Sequence, residues 1–214
     1  MSNLNVIDTI LFDLDGTLID SAKIIIKGYL ETLKKHNLKN LLDDDSVILG
    51  LTLDKAFAKY VKSDEEYEML VDTYRKYTSI ASDEKLELHY YAAKIIKYLK
   101  DKGYLVGIIT SKSLKAVKRN LEKFNLEDIF DIIVTSEDTK EHKPSATPIL
   151  YALEKLGKNC NNAIYIGDHE NDIKAAKGAL VKSGLVKYSY RYEEALKEKP
   201  DYIFETLKDI ENIF

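Results

Sequence analysis

The stretch Ile10-Leu11-Phe12-Asp13-Leu14-Asp15-Gly16-Thr17-Leu18 decides how this chain is read. Its apolar opening, from Thr9 to Phe12, has the character of a buried strand and runs out into two carboxylates spaced i, i+2. Side chains two apart on extended backbone point the same way, so Asp13 and Asp15 are expected to lean into one small space. Two anions held close repel unless a cation or a shared proton relieves them. Gly16 permits a sharp turn that exposes amide donors. A strand-end carboxylate pair beside free N–H groups is suited to gripping Mg²⁺ and a phosphate.

Downstream, residues 21–82 carry helical periodicity and no convincing strand. Ile24, Ile25, Gly28, Tyr29 and Leu33 recur at helix spacing, as do Tyr67, Leu70, Val71 and Tyr74. Acidic clusters punctuate the stretch, Asp43-Asp44-Asp45 and Ser63-Asp64-Glu65-Glu66; the second has the form of an N-cap with acids in the first turn. About four helices are expected here. Beyond residue 82 the pattern becomes α/β alternation. Helices near 89–101, 113–124, 145–156 and 171–178, and one closing the chain, alternate with strands at 104–110, 131–134 and 163–167 and weaker ones at 184–188 and 201–204. Together with a first strand at 7–13, near-continuous apolar strands separated by helices predict a parallel sheet covered on both faces. The expected fold is α/β: a Rossmann-like, doubly wound core (1–18 and 83–214) with an inserted all-helical cap (19–82).

In such sheets ligands bind at the carboxyl ends of strands, where the strand order reverses. Four strand ends here offer Asp13 with Asp15; Thr110 and Ser111; Lys143 in Glu141-His142-Lys143-Pro144; and Asp168 in Gly167-Asp168-His169-Glu170-Asn171-Asp172. Each piece alone has an ordinary structural reading. Asp-Gly is a common turn, Thr110-Ser111 could cap the next helix, Lys143 could be solvated, and Asp172 suits a helix's first turn. Their order defeats those readings, because carboxylates, hydroxyl and ammonium arrive at successive strand ends as phosphoryl transfer requires.

On these residues the chain resembles the haloacid dehalogenase-like hydrolase superfamily. Asp13-Leu14-Asp15-Gly16-Thr17 matches its first motif, Thr110 the second, Lys143-Pro144 the third, and Gly167-Asp168 with Asp172 the fourth. The early helical insert is similar to the cap of the phosphoglycolate phosphatase-like branch, and the runs 130–144 and 167–173 resemble the bacterial inorganic pyrophosphatases within it. One departure is Ala146, where those relatives carry a second proline. The resemblance implies Asp13 as nucleophile, Asp15 as general acid and base, and Thr110 and Lys143 as phosphoryl-holding groups. It also implies Mg²⁺ on Asp13, Asp15 (through its carbonyl), Asp168 and Asp172. Gly16, Thr17, Ser111 and, from the cap loop 50–55, Lys55 complete the expected substrate contacts, with hinges at 16–21 and 79–85. The implied activity is Mg²⁺-dependent hydrolysis of a small phosphorylated metabolite, phosphoglycolate- or pyrophosphate-like. A sugar-phosphate mutase of the same fold and a catalytically silent binding protein are the alternatives; Gly167 speaks against the first and the filled catalytic positions against the second.

Bulk properties agree with a globular metabolic enzyme. The 214 residues are 45% hydrophobic and 32% charged with net charge −4, so no basic field favours nucleic acid and no apolar run reaches membrane length. Met1-Ser2-Asn3-Leu4-Asn5 carries no signal-peptide pattern. Cys160 is the single cysteine and reads as an incidental thiol, so a cytoplasmic location is expected. His169 reads as an exposed loop histidine, and His36, His89 and His142 lack zinc-ligand spacing.

Overall fold

A central strand β1 (Thr9–Phe12), buried at every position, organises the chain. The structure, a computed structural model, describes residues 6–214, so the expectation about Met1–Asn5 falls outside the described residues. After β1 come β2 (Ile19–Asp20), α1 (Ala22–Lys35), a 3₁₀ turn (Asp45–Ile48), α2 (Leu53–Phe57) and α3 (Asp64–Lys85). Next are β3 (Glu87–Leu88), α4 (Ala92–Asp101), β4 (Leu105–Ile109), α5 (Leu114–Lys123), β5 (Ile132–Val134) and α6 (Thr147–Leu156). The chain finishes with β6 (Ala163–Gly167), α7 (Glu170–Gly178), β7 (Lys182–Val186), α8 (Tyr192–Lys197), β8 (Tyr202–Phe204) and a 3₁₀ helix (Leu207–Asn212).

Six strands form one parallel sheet in the order β5-β4-β1-β6-β7-β8. The order reverses at β1, whose successors run outward through β4 on one side and through β6 on the other. The crevice that such a reversal opens lies at the carboxyl ends of β1 and β6, where Asp13 and Asp168 emerge. Alternation along the strands sorts the core into two layers. Ile10, Phe12, Val106, Ile108, Ile164 and Ile166 pack with α4, α5 and the last 3₁₀ helix. Leu11, Ile109, Val134 and Tyr165 face α6 and α7. Each buried aliphatic side chain contributes about 1.5–3 kcal/mol relative to exposure, and both faces of β1 draw on that term.

The helical segment has its own apolar centre of Tyr29, Leu33, Ile48, Phe57, Leu70 and Val71. Ser63 caps α3 by accepting from the Glu66 amide at 3.3 Å, with three acids in the first turn, as the sequence pattern anticipates. The fourth cap helix is a 3₁₀ turn rather than an α-helix. α3 also runs unbroken through the segment expected to be a hinge, 79–85. Its last carbonyls, Ser82 and Asp83, accept from Lys123 of α5 at 2.6 and 2.9 Å, and Arg119 pairs with the Asp83 carboxylate. Those tertiary contacts carry the helix past the change in sequence texture.

Four further differences are local. β1 is shorter than 7–13. β7 begins two residues earlier than expected because Lys182 and Ser183 are drawn in by hydrogen bonds to the Asp201 carboxylate at 2.8–2.9 Å. The closing helix is of the tighter 3₁₀ kind, with Thr206 and Asp209 forming a capping box. The short antiparallel ribbon β2–β3 had no periodic signal to announce it; it pairs Ile19 with Leu88 and Asp20 with Glu87.

Strand β4 lies between β1 and β5, and Gly107 is paired with Leu11 and Ile132, where an added Cβ would lie 2.6 Å from Ile132 Cγ2 and 2.8 Å from Leu11 Cδ2. Gly107→Ala is therefore expected to cost about 1–3 kcal/mol by overpacking. Urea denaturation measures it, and a loss within experimental error would mean that the sheet relaxes at that point.

Candidate active site

The first motif leaves the sheet under tight backbone control. The Asp13 amide donates to the Ile166 carbonyl at 2.8 Å, extending the β1–β6 pairing by one residue. Gly16 then turns at φ +83°, and a Cβ there would sit 2.3 Å from Asp168 Oδ2. Only glycine satisfies both the left-handed backbone and that close approach. Thr17 Oγ1 donates to Asp168 Oδ1 at 3.2 Å, so the turn after β1 also holds the carboxylate after β6.

Lys143 lies at the centre. Its ammonium, 3% exposed, donates to Asp13 Oδ1 at 2.8 Å, Asp172 Oδ1 at 2.7 Å and the Tyr165 hydroxyl at 2.8 Å. An ammonium has three N–H groups, and here each has a partner. Asp172 is fixed in turn, because its Oδ2 accepts from the His169 and Asp168 amides at 2.9 and 3.2 Å. Tyr165 passes its own proton to the Ile109 carbonyl at 2.9 Å.

Asp13, Asp168 and Asp172 are all buried and offer oxygens within 4.8 Å of one another. Burial dominates the electrostatics. It pushes Asp13 up to about 7 against the pull of Lys143, with Asp172 and Asp15 adding repulsion. Burial together with the charges of Asp172 and Asp13 holds Asp168 well above the usual carboxylate range. Asp172 stays below that range, because Lys143 and the backbone donors outweigh its burial. Desolvation thus overrides the downward pull of Lys143 on Asp13. Three buried carboxyl groups face one ammonium, and two of them are pushed towards the protonated form; as hard oxygen donors they fit a divalent cation of the Mg²⁺ type, which would displace those protons.

Asp15 shares the space with Asp13, as the i, i+2 spacing predicts, but its carboxylate stands apart from the three-carboxylate cluster. Its Oδ1 accepts from Lys112 Nζ at 2.6 Å and from Ser21 Oγ at 2.5 Å, outside the three-carboxylate cluster. Both Asp13 and Asp15 border a cavity of about 1030 Å³ roofed by the helical segment, and Thr110, Ser111, Lys112 and His142 border it too. Thr110 Oγ1 accepts from the Lys112 amide at 3.2 Å, and Ser111 Oγ donates to the Gly50 carbonyl of the cap loop at 3.1 Å. Of that loop, Gly50, Leu51, Thr52, Leu53 and Asp54 line the cavity. Lys55 does not: it is exposed on the outer side of α2, and the cavity's cations include Arg75, Lys112 and Lys115 instead.

His169 also corrects the sequence reading, being buried rather than exposed. Its Nδ1 accepts from the Asn171 amide at 3.1 Å as the cap of α7, its Nε2 has no protein partner, and burial lowers its pKa. Tyr165, Lys112 and Ser21 were missed altogether. A tyrosine inside an apolar strand reads as packing, and Lys112 and Ser21 acquire meaning only once the turn brings them to Asp15.

The comparisons with known proteins agree with this geometry. The profile of haloacid dehalogenase-like hydrolases matches residues 10–186. A protein of Caldanaerobacter subterraneus with the provisional name pyrophosphatase PpaX is 37% identical over 204 residues, covering 94% of this chain and 91% of its own length. Pyrophosphatase PpaX of Bacillus cereus is 32% identical over 206 residues, covering 95% and 94%. Among solved structures, a Haemophilus somnus protein described as a predicted phosphoglycolate phosphatase superposes with a TM-score of 0.82 at 25% identity, covering 97% of both chains. With its profile matched over most of the sequence and its relatives matched nearly end to end, the chain belongs to the haloacid dehalogenase-like hydrolase family.

Proposed function

We propose that this hydrolase is a Mg²⁺-dependent phosphatase that cleaves a small phosphorylated metabolite through an aspartyl-phosphate on Asp13. The observation that carries the proposal is the Lys143 ammonium bridging Asp13 and Asp172, with Asp168 beside them. Asp13 attacks phosphorus, the bond to the leaving oxygen breaks, and Asp15 supplies the proton that oxygen takes up. Asp15 then accepts a proton from the water that hydrolyses the aspartyl-phosphate. Lys112 borders the same cavity, so an anionic substrate competes with Asp15 for it and frees the carboxyl for proton transfer. Lys143, Thr110, Ser111 and the amides around Gly16 and Thr17 hold the phosphoryl oxygens. Asp13, Asp168 and the Asp15 carbonyl would hold Mg²⁺, with Asp172 acting directly or through water, and the ion would neutralise charge on the phosphoryl group.

The names of the relatives support pyrophosphate or phosphoglycolate as substrate. The acidic net charge, and the absence among the described residues of a helix long and apolar enough to cross a membrane, support a metabolite as partner rather than nucleic acid or lipid. The single half-buried cysteine supports a cytoplasmic setting. The domain division proposed is a core of 1–18 and 83–214 with a cap of 19–82.

Asp13→Asn is expected to lower phosphate release by about 10³-fold or more on a panel of pyrophosphate, phosphoglycolate, sugar phosphates and nucleotides. Retention of activity within tenfold would remove Asp13 as nucleophile. Lys143→Ala leaves two buried carboxylates without their cation and is expected to cost about 3–5 kcal/mol, read by urea denaturation in chelator.

The pH dependence has a definite sign. Asp13 titrates at about 7 in the folded chain against 3.8 unfolded, so its contribution to stability is present below the lower value and lost as pH rises through the higher one. Mg²⁺ competes with that proton, so stabilisation by Mg²⁺ is expected to be larger at about pH 8 than at about pH 6. Thermal melts with and without EDTA decide it, and a larger effect at the lower pH would contradict the proposed ligands.

A further inference from the structure

Arg191 carries a charge almost out of reach of water, 7% exposed, yet it lies outside the catalytic cavity. Its guanidinium forks onto Glu170, Nε to Oε2 at 2.9 Å and Nη2 to Oε1 at 2.7 Å. Its remaining nitrogen, Nη1, donates to Asp44 Oδ2 and Ser46 Oγ, both at 3.0 Å. Glu170 opens α7 directly after Asp168-His169, whereas Asp44 and Ser46 belong to the helical segment above the site. The loop that carries Arg191 also grips Asp168 by other routes. Ser189 Oγ donates to the Asp168 carbonyl and accepts from the Arg191 amide at 2.8 Å. The Tyr188 hydroxyl donates to the Thr17 carbonyl at 2.6 Å, and Thr17 Oγ1 donates to the Asp168 carboxylate.

We propose that Arg191 is a positioning residue that couples the seating of the helical cap to the placement of Asp168, so that metal binding is tightest when the 44–46 turn is docked. This rests on the reading of Asp168 as a Mg²⁺ ligand. A guanidinium stays charged at any working pH, and its bond to a carboxylate is charge-assisted. Among the described residues, Asp44 and Ser46 are the only partners of Nη1, so lifting the cap exchanges both for water and frees that side of the guanidinium to move. The planar fork fixes Glu170 in orientation as well as distance, and a shift of the guanidinium is handed directly to the start of α7. One member of the Asp43-Asp44-Asp45 cluster thereby acquires a purpose distinct from solvation.

The test is Mg²⁺ titration of the metal-stripped, substrate-free protein by calorimetry. Asp44→Asn keeps the acceptor that caps the 3₁₀ turn, and Ser46→Ala removes the second partner of Nη1. Together they are expected to weaken Mg²⁺ binding about tenfold although neither residue touches the carboxylate cluster. Arg191→Ala is expected to weaken it at least as much, and in that background the two cap changes should have no further effect. Wild-type affinity in the cap variant, or losses that add independently, would overturn the proposal. Should Arg191→Ala not fold, the cap variant alone decides. A wild-type protein that binds no Mg²⁺ would instead remove the metal reading, and this proposal with it.

Discussion

The structure depends on one buried ammonium. Among the described residues, Lys143 is the sole positive charge in direct contact with Asp13 and Asp172, and without it the carboxyl ends of β1 and β6 would bring like charges together in a poorly solvated space. The geometry around it is over-determined: its N–H groups meet three close acceptors and, at 3.4 Å, the Ile109 carbonyl, and the three close acceptors are anchored by different elements. Asp13 is tied to the end of β1, Tyr165 to β6 and Asp172 to the first turn of α7. Positions fixed from several directions suit chemistry that relies on charge placement more than on motion.

Much of this was legible in the sequence because the relevant signals are local. Asp13-Leu14-Asp15-Gly16 declares a strand end and a turn within four residues, and Gly167-Asp168 with Asp172 does the same for a strand running into a helix. The sheet followed from apolar runs separated by amphipathic ones, and the start of α3 from Ser63 and its acids. Boundaries failed where long-range contacts set them, as at the end of α3, which Arg119 and Lys123 hold, and at the start of β7, which Asp201 holds.

Side-chain roles were less accessible. The i, i+2 rule brings Asp13 and Asp15 to one cavity, but it could not show that Asp15 takes Lys112 and Ser21 as partners there while Asp13 takes Lys143. Lys55 is a candidate from the sequence only as a cation of the cap loop, beside the ordinary reading of a solvated helix lysine. The rotation of α2 turns it outward, and nothing in a five-residue helix fixes that rotation in advance. His169 looked exposed because its neighbours are polar; its burial comes from the cap loop packing over it at Gly50, a contact between residues far apart in sequence.

The ribbon formed by Ile19–Asp20 and Glu87–Leu88 has an architectural consequence. The chain leaves the sheet and returns to it at adjacent points, so everything between is a detour whose two ends already touch. A detour of that kind can lengthen, shorten or be exchanged for an unrelated segment without altering the order of a single strand in the sheet. The sheet and the helical segment can therefore diverge on separate evolutionary schedules, with a ribbon two residues wide closing the base of the detour and side-chain contacts such as Arg191 with Asp44 left to adjust.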